Sequence, residues 1–290
     1  MQKLTRFLFL FLITQNCIAQ ETPADSVRML DQVIVTAFEQ NRKITSAPVA
    51  AARIDLAKSD RTSKTSLVNV INSVAGVRME ERSPGSFRIN IRGSSLRSPF
   101  GVRNVKVYWN DIPVTDPGGN TYFNQFAYNN FSSIEIFKGP VSSMYGAGTG
   151  GLILLRNEIR KNLTAEGAKG SFNTQNYFLN GGLENVSISF AHNETDGYRD
   201  HSGMRRNNAS FVSRHEISER QQLTAAILFT DLYYQTPGGL TKAEFDANPK
   251  GARPAVGTQP SADQAKAAIF QKNFLAGINN VYSINSNISN

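Results

Sequence analysis

Along the second half of the chain, apolar and polar residues alternate with a period of two. Val186, Ile188 and Phe190 alternate with Ser187, Ser189 and Ala191, and Leu223, Ala225, Ile227 and Phe229 alternate less cleanly with Thr224, Ala226, Leu228 and Thr230. Near the end, Tyr282, Ile284 and Ile288 alternate with Ser283, Asn285 and Asn287. This period sends successive side chains to opposite faces of a strand. Strands of about ten residues, apolar on one side and polar on the other, are the pattern of a transmembrane barrel. A soluble sandwich with one solvated face shares the period. Asn173-Thr174 and Glu184-Asn185 are candidate short connections, whereas Tyr233 to about Ala268 is a long insertion rich in Pro, Gly and Asp. In a barrel, long loops face outward and short turns face the periplasm.

The first half has a different texture. Leu67, Val70, Ile71 and Val74 fall at i, i+3, i+4 and i+7, which predicts one apolar stripe of a helix. Thr65 or Ser66 can cap its start, and Gly76 can end it in a left-handed conformation. Strands are expected around Phe87 to Arg92, Val105 to Trp109 and Ile134 to Lys138. Asn110-Asp111, between Val-Tyr-Trp and Ile-Pro-Val, suits a tight turn that needs positive φ. Residues 45–156 therefore read as a small α+β domain, a compact sheet with polar loops, suited to filling or binding. Residues 20–44 form a polar leader whose one extended patch is Val33-Ile34-Val35-Thr36-Ala37. Such a patch is a poor core strand but a good strand to lend to another protein. The alternative is an edge strand of the domain that follows.

The N-terminus bears on the compartment. Lys3 and Arg6, the apolar run Phe7 to Ile13, and Cys17-Ile18-Ala19 before Gln20 form a secretory signal peptide over residues 1–19. That apolar run is too short to span a bilayer as a helix. Cys17, the one cysteine, would leave with the signal, and Gln15-Asn16 before it argues against lipidation. No later segment of eighteen apolar residues exists, so membrane residence must use strands. The 290 residues are 40% hydrophobic with net charge +8, enough for one or two cores. Positive residues are spread out, with no basic run of five, which fits a solvated surface better than a nucleic-acid partner. His192, His201 and His215 match no metal-ligand spacing. Without a GxSxG or HExxH string, an enzyme is not expected, nor is a bound cofactor or metal.

Between Phe87 and Ile153 the chain carries, in order, FRINIRG, SPFGVRNVKVYWNDIPVTDPGGNTYF, SSIEIFKGP and SSMYGAGTGGLI. Ile91-Arg92-Gly93, the stretch Ile134 to Pro140 and the stretch Tyr145 to Gly151 resemble the recurring motifs of the plug domain of TonB-dependent outer-membrane receptors. The stretch Asp31 to Ala37, DQVIVTA, resembles a TonB box. The resemblance implies an α+β plug domain followed by antiparallel transmembrane β-barrel strands. It covers nearly the whole chain, with Asn110-Asp111 where the family usually has Asp-Gly. Receptors of this kind close a barrel of 22 strands, whereas residues 157–290 supply about six. An open sheet of that size leaves edges that lipid cannot satisfy, so the barrel is expected to be incomplete and the chain an N-terminal fragment.

The resemblance also implies partners and sites. TonB, energised by ExbB and ExbD, would pair with Asp31, Gln32, Val33, Ile34, Val35, Thr36 and Ala37, and outer-membrane lipid would surround the barrel. Arg88, Arg92 and Glu135 would make charged contacts to the barrel interior. Ligand contacts are expected from Arg97, Phe100 and Arg103 in one plug loop and Asp116, Asn120 and Tyr122 in another. Tyr233, Tyr234 and Arg253 in or beside the long barrel loop complete the set. Arginine among aromatics suits an anionic planar or chelate ligand, because guanidinium pairs with carboxylates and stacks on rings. The PFGVR and DPGG loops look most like those of ferric-citrate receptors, with an iron chelate as cargo. Pyrroloquinoline quinone is the alternative cargo, and a soluble secreted β-rich adhesion or binding protein the alternative class.

Overall fold

The computed structural model describes residues 33–37, 40–59, 64–83, 85–94, 102–141, 145–146, 148–285 and 288–289. The chain divides at Val33 into two units, 1–33 and 34–290, and of the first only Val33 is described. Residues 1–19, the expected signal peptide, and Asp31, Gln32, Arg97 and Phe100 lie outside the described residues.

The second unit begins with a two-stranded ribbon, β1 (Ile34–Ala37) and β2 (Gln40–Lys43). The α+β domain follows. Its mixed sheet has the order β3 (Ala51–Asp55), β8 (Ser133–Lys138), β9 (Gly151–Arg156), β6 (Val105–Trp109) and β7 (Ile112–Pro113), with β6 and β9 parallel. A separate hairpin pairs β4 (Val77–Ser83) with β5 (Ser86–Ile91). The predicted helical stripe is buried as a unit: Leu67, Val70, Ile71 and Val74 all join the core. The helix itself is short, Val68–Asn72, and its start is Leu67 rather than a capping hydroxyl, although Ser66 Oγ accepts from the Val68 N–H at 3.3 Å. Asn110 and Asp111 both have positive φ (48° and 66°), the turn that joins β6 to β7. At the exit of the domain Asn157 accepts the Trp109 indole N–H at 2.7 Å and donates to the Asn130 carbonyl, so the connection leaves fixed.

Seven strands then form one antiparallel meander: β10 (Leu163–Gly170), β11 (Thr174–Gly182), β12 (Val186–Thr195), β13 (Met204–Ser218), β14 (Gln221–Gln235), β15 (Ala268–Asn285) and β16 (Ile288–Ser289). The alternation read from the sequence is the alternation of faces. Ser187, Ser189, Asn193, Asn208, Thr224 and Thr230 are buried toward the α+β domain, while Ile188, Phe190, Ile227, Phe229, Phe270, Phe274 and Ile278 point away and are exposed. The polar side satisfies itself in part, as in the 2.6 Å contact of the Ser189 and Ser210 hydroxyls. Among the described residues no helix is long and apolar enough to cross a membrane.

Two expectations about the connections need correction. Successive hairpins alternate ends, so the 171–173 turn lies at the end of the long loops 196–203 and 236–267, opposite the 183–185 turn. Asn173-Thr174 is thus short but belongs to the long-loop end. Its shortness comes from Phe172 and Asn173 adopting positive φ (57° and 53°). The long insertion is also not structureless. It contains a helix, Lys242–Ala247, whose start is a reciprocal capping box of Thr241 and Glu244.

Candidate functional site

The α+β domain sits on the polar face of the wall through two kinds of contact. Val212, Ala226 and Leu228 of the wall merge with the domain's core. Above that apolar seam, the tight turn Phe123–Gln125 is held by hydrogen bonds. The Gln125 carbonyl accepts from Asn208 Nδ2 and Thr230 Oγ1, both at 2.7 Å, and its side-chain oxygen accepts from Asn273. Asn124 donates to Gln271 at 2.9 Å. Gly277 permits the close approach on the far side, since a methyl group there would come within 2.8 Å of Ile112.

Beside this anchor, under the long loops, the two parts separate to leave a cavity of about 450 Å³. The domain contributes Glu81, Arg82 and Phe87 from the β4–β5 hairpin, and the wall contributes Asn193, Thr195 and Arg206. Tyr198, Arg199 and Pro237 form the loop side. Arg199 fixes those loops to each other: its guanidinium donates to the Gly251 carbonyl at 3.1 and 2.8 Å and to the Gly238 carbonyl at 2.9 Å. Lys250 stacks over the Tyr198 ring, which meets Phe172 edge-on.

The charge balance of the cavity is positive, with three arginines and one acid. Arg206 is only 5% exposed; among the described residues its Nε has no hydrogen-bond partner, and its Nη1 makes a long 3.4 Å contact to the Asn124 carbonyl. Burial pushes the Glu81 carboxyl above its usual range, opposed by the Gly85 N–H it accepts at 3.0 Å and by the Arg206 charge. A buried cation with an unpartnered donor beside a reluctant carboxylate is an arrangement that favours an added anion. Among the described residues no three His, Cys, Asp or Glu side chains converge as a metal site.

The residues singled out from the sequence divide into three groups. Arg103, Asp116 and Asn120 come together, but on one another. Asp116 accepts the Asn120 N–H at 2.8 Å, and Asn120 Oδ1 accepts from Arg103 Nε at 2.9 Å. Arg253 likewise staples its own loop, donating to the Pro254 and Pro260 carbonyls. Tyr122 and Tyr234 share a second, smaller cavity of about 140 Å³ beside Phe123 and Asn124. Tyr233 does not join them: one residue along β14 it faces the opposite side of the wall and packs on Phe270, ring centroids 4.8 Å apart. Of the expected contacts to the barrel interior, Glu135 is instead paired within the domain. Register on β3 places it opposite Arg53, whose Nη1 reaches it at 3.1 Å. Arg92 is exposed at a turn of positive φ, and Arg88 keeps a shielded Nε without a hydrogen-bond partner among the described residues.

The leader segment is not a loose strand here. Val33 and Ile34 are exposed, but Val35 is buried against Phe137, Val141, Tyr145, Leu152 and Leu154. Arg53 Nη1 also donates to the Ile34 carbonyl at 3.1 Å, tying the ribbon to the sheet edge. Sequence reading missed Glu81, Arg82, Arg199 and Arg206 entirely. Only Arg206 left a signal: it occupies an inward position of β13, two residues before Asn208, and an arginine on the inward side of a wall strand invites a partner.

Comparison with known proteins gives the arrangement a family. The TonB-dependent receptor plug domain model matches residues 43–152. The vitamin B12 transporter BtuB of Vibrio vulnificus is 24% identical over 188 residues, which is 60% of this chain and 30% of the relative. Among solved structures, the unliganded ferric citrate transporter FecA superposes with a TM-score of 0.65 at 19% identity, over 84% of this chain and 38% of that one. The FpvAI–pyocin S2 complex gives 0.62 at 14% identity, over 86% and 33% respectively. The chain thus spans about a third of the length of these relatives. Residues 43–152 thus match a TonB-dependent receptor plug domain, and the chain has the fold of such a plug with part of the surrounding β-barrel.

Proposed function

We propose that this chain serves active uptake across the outer membrane of a scarce, anionic ligand, an iron chelate of the ferric-citrate kind. In this reading residues 1–19 direct export, 20–44 are the leader, 45–156 the plug and 157–290 the N-terminal part of the barrel. The observation that carries the cargo class is the cavity between plug and wall. Among the described residues its buried Arg206 has an unpartnered Nε, and its roof is cross-linked by Arg199. The ferric citrate transporter among the solved structures supports an iron chelate over pyrroloquinoline quinone as cargo.

TonB, with ExbB and ExbD, supplies the energy by engaging Asp31 to Ala37. Because Val35 and the Ile34 carbonyl are held by the plug, engagement requires the β1–β2 ribbon to lift off. Strand addition then resists pulling along the chain through backbone hydrogen bonds. Deleting Asp31 to Ala37 from the full receptor should abolish energy-dependent uptake of radiolabelled ferric citrate while leaving its binding to cells intact. Equal loss of binding would contradict the box assignment. Recovery of the protein in the soluble periplasmic fraction would favour the secreted-adhesin reading instead.

A further inference from the structure

A further cavity, distinct from that of Tyr122 and Tyr234, lies lower on the same wall. It encloses about 170 Å³ and is lined by Lys64, Tyr128, Arg160, Glu166, Phe178 and Asn180, among others. Tyr128 is buried and its hydroxyl has no hydrogen-bond partner among the described residues, so the space offers an unused donor. Strand register orders the two cavities. Thr174 on β11 lines the upper one and Asn180 on the same strand the lower, about 20 Å further along at 3.4 Å per residue. Asn176 pairs with Asn193, Phe178 with Ala191 and Glu166 with Phe178, which puts Glu166 at the level where one cavity gives way to the other.

One plug–wall contact occupies that level. Lys64 Nζ binds both carboxylate oxygens of Glu166, at 2.9 and 3.0 Å. Lys64 lines the lower cavity, and the next two residues, Thr65 and Ser66, line the upper. Both partners of the ion pair are 36% exposed, and both line the lower cavity at its boundary with the upper one. We propose that the two cavities are successive stations of one path along the inner face of β10 to β12, and that Lys64–Glu166 is the gate between them. The inference rests on the transport reading. An anion leaving Arg206 meets the Lys64 ammonium next, and it opens the gate by taking the place of the Glu166 carboxylate. Cation then follows cation down the wall, and no proton or covalent step is needed.

The test needs no cargo. In full receptor in outer membranes, with native thiols replaced, Asn193→Cys reports the upper cavity and Asn180→Cys the lower. The probe is the small anionic thiol reagent 2-sulfonatoethyl methanethiosulfonate. An exposed pair of this kind biases opening by up to about fivefold, so Glu166→Gln should speed labelling at N180C by about that factor. Labelling at N193C should stay unchanged, which also certifies the fold, and Lys64→Met repeats the test should Glu166→Gln fail to assemble. Filling the upper cavity with Asn193→Trp should cancel the gain at N180C. Equal labelling of N180C with and without the ion pair would overturn the gate, and a gain that survives Asn193→Trp would overturn the path. Labelling is read without cargo or energy, so failure of the gate leaves energised uptake standing.

Discussion

Receptor carrying Gly151→Val should reach the outer membrane in sharply reduced amount, with its plug open to protease. Gly151 begins β9, the strand between β8 and β6, and it has φ of +152°. A Cβ there would lie 2.4 Å from the Phe137 carbonyl oxygen and 2.9 Å from Ile91 Cδ1. The first neighbour is backbone inside a paired strand, so it cannot rotate aside as a side-chain tip can. Relief requires β9 to move away from Lys138, which breaks the pairing that also orders Leu152 to Leu155 in the core. Overpacking and backbone strain together cost about 2–5 kcal/mol, a large fraction of a typical domain's net stability of about 5–15 kcal/mol. Gly119→Ala is the control: φ is +82° but a Cβ there meets nothing within 4 Å, so only the local strain is felt. Trypsin resistance of the plug in isolated outer membranes distinguishes them. Protection of the Gly151→Val plug equal to that of the unmodified receptor would contradict the packing described for β9.

Opposite effects are expected from Arg206 and Glu81, two of the charged groups of the upper cavity. Arg206→Met should weaken binding of ferric citrate to the full receptor by about 10- to 100-fold, the worth of a charge-assisted hydrogen bond with a buried donor. Glu81→Gln should strengthen it by about fivefold, because one like charge is removed from a confined space. The pH dependence follows in sign. Burial raises the Glu81 carboxyl above its usual range in the folded plug. It therefore binds a proton more tightly folded than unfolded, so its contribution to stability is favourable at low pH and is lost as pH rises through the raised folded value. Anion affinity should likewise climb as pH falls from neutrality, and this climb should vanish in Glu81→Gln. Equilibrium binding across that range measures both. Unchanged affinity in Arg206→Met would remove the cavity from the account of recognition.

The parts of the fold that were legible in the sequence are those where one local rule dominates. Asn110-Asp111 gave the β6–β7 turn because few other residues accept two successive positive φ values. The alternation of β12 gave the two faces of the wall because period two sends its serines and its apolar residues to opposite sides. β4 was not legible: Glu80, Glu81 and Arg82 interrupt its alternation, and only pairing with β5 makes it a strand. The helix in the long insertion was hidden by its Pro- and Gly-rich surroundings, although Thr241 and Glu244 stand at capping-box spacing.

The candidate site was less legible, for a physical reason. Arg103, Asp116, Asn120 and Arg253 were chosen by residue type, and the fold uses their polarity to close their own turns. Glu135 was chosen by motif, and strand register gives it to Arg53. Arg206 and Glu81 lie 125 positions apart on different layers, and neither is unusual until the plug docks on the wall. What brings them together is the seam of Val212, Ala226 and Leu228, which no local pattern announces.

The account depends on residues 45–156 forming a stopper seated against the polar face of a lipid-embedded wall. Asn124 and Gln271 meet across that seam at 2.9 Å, far apart in sequence. In outer membranes holding the full receptor, Asn124→Cys and Gln271→Cys should be bridged by a short bifunctional thiol reagent, while Asn124→Cys with an outward Phe274→Cys should not. Failure of the first pair to cross-link, with the protein recovered outside the outer membrane, would contradict it.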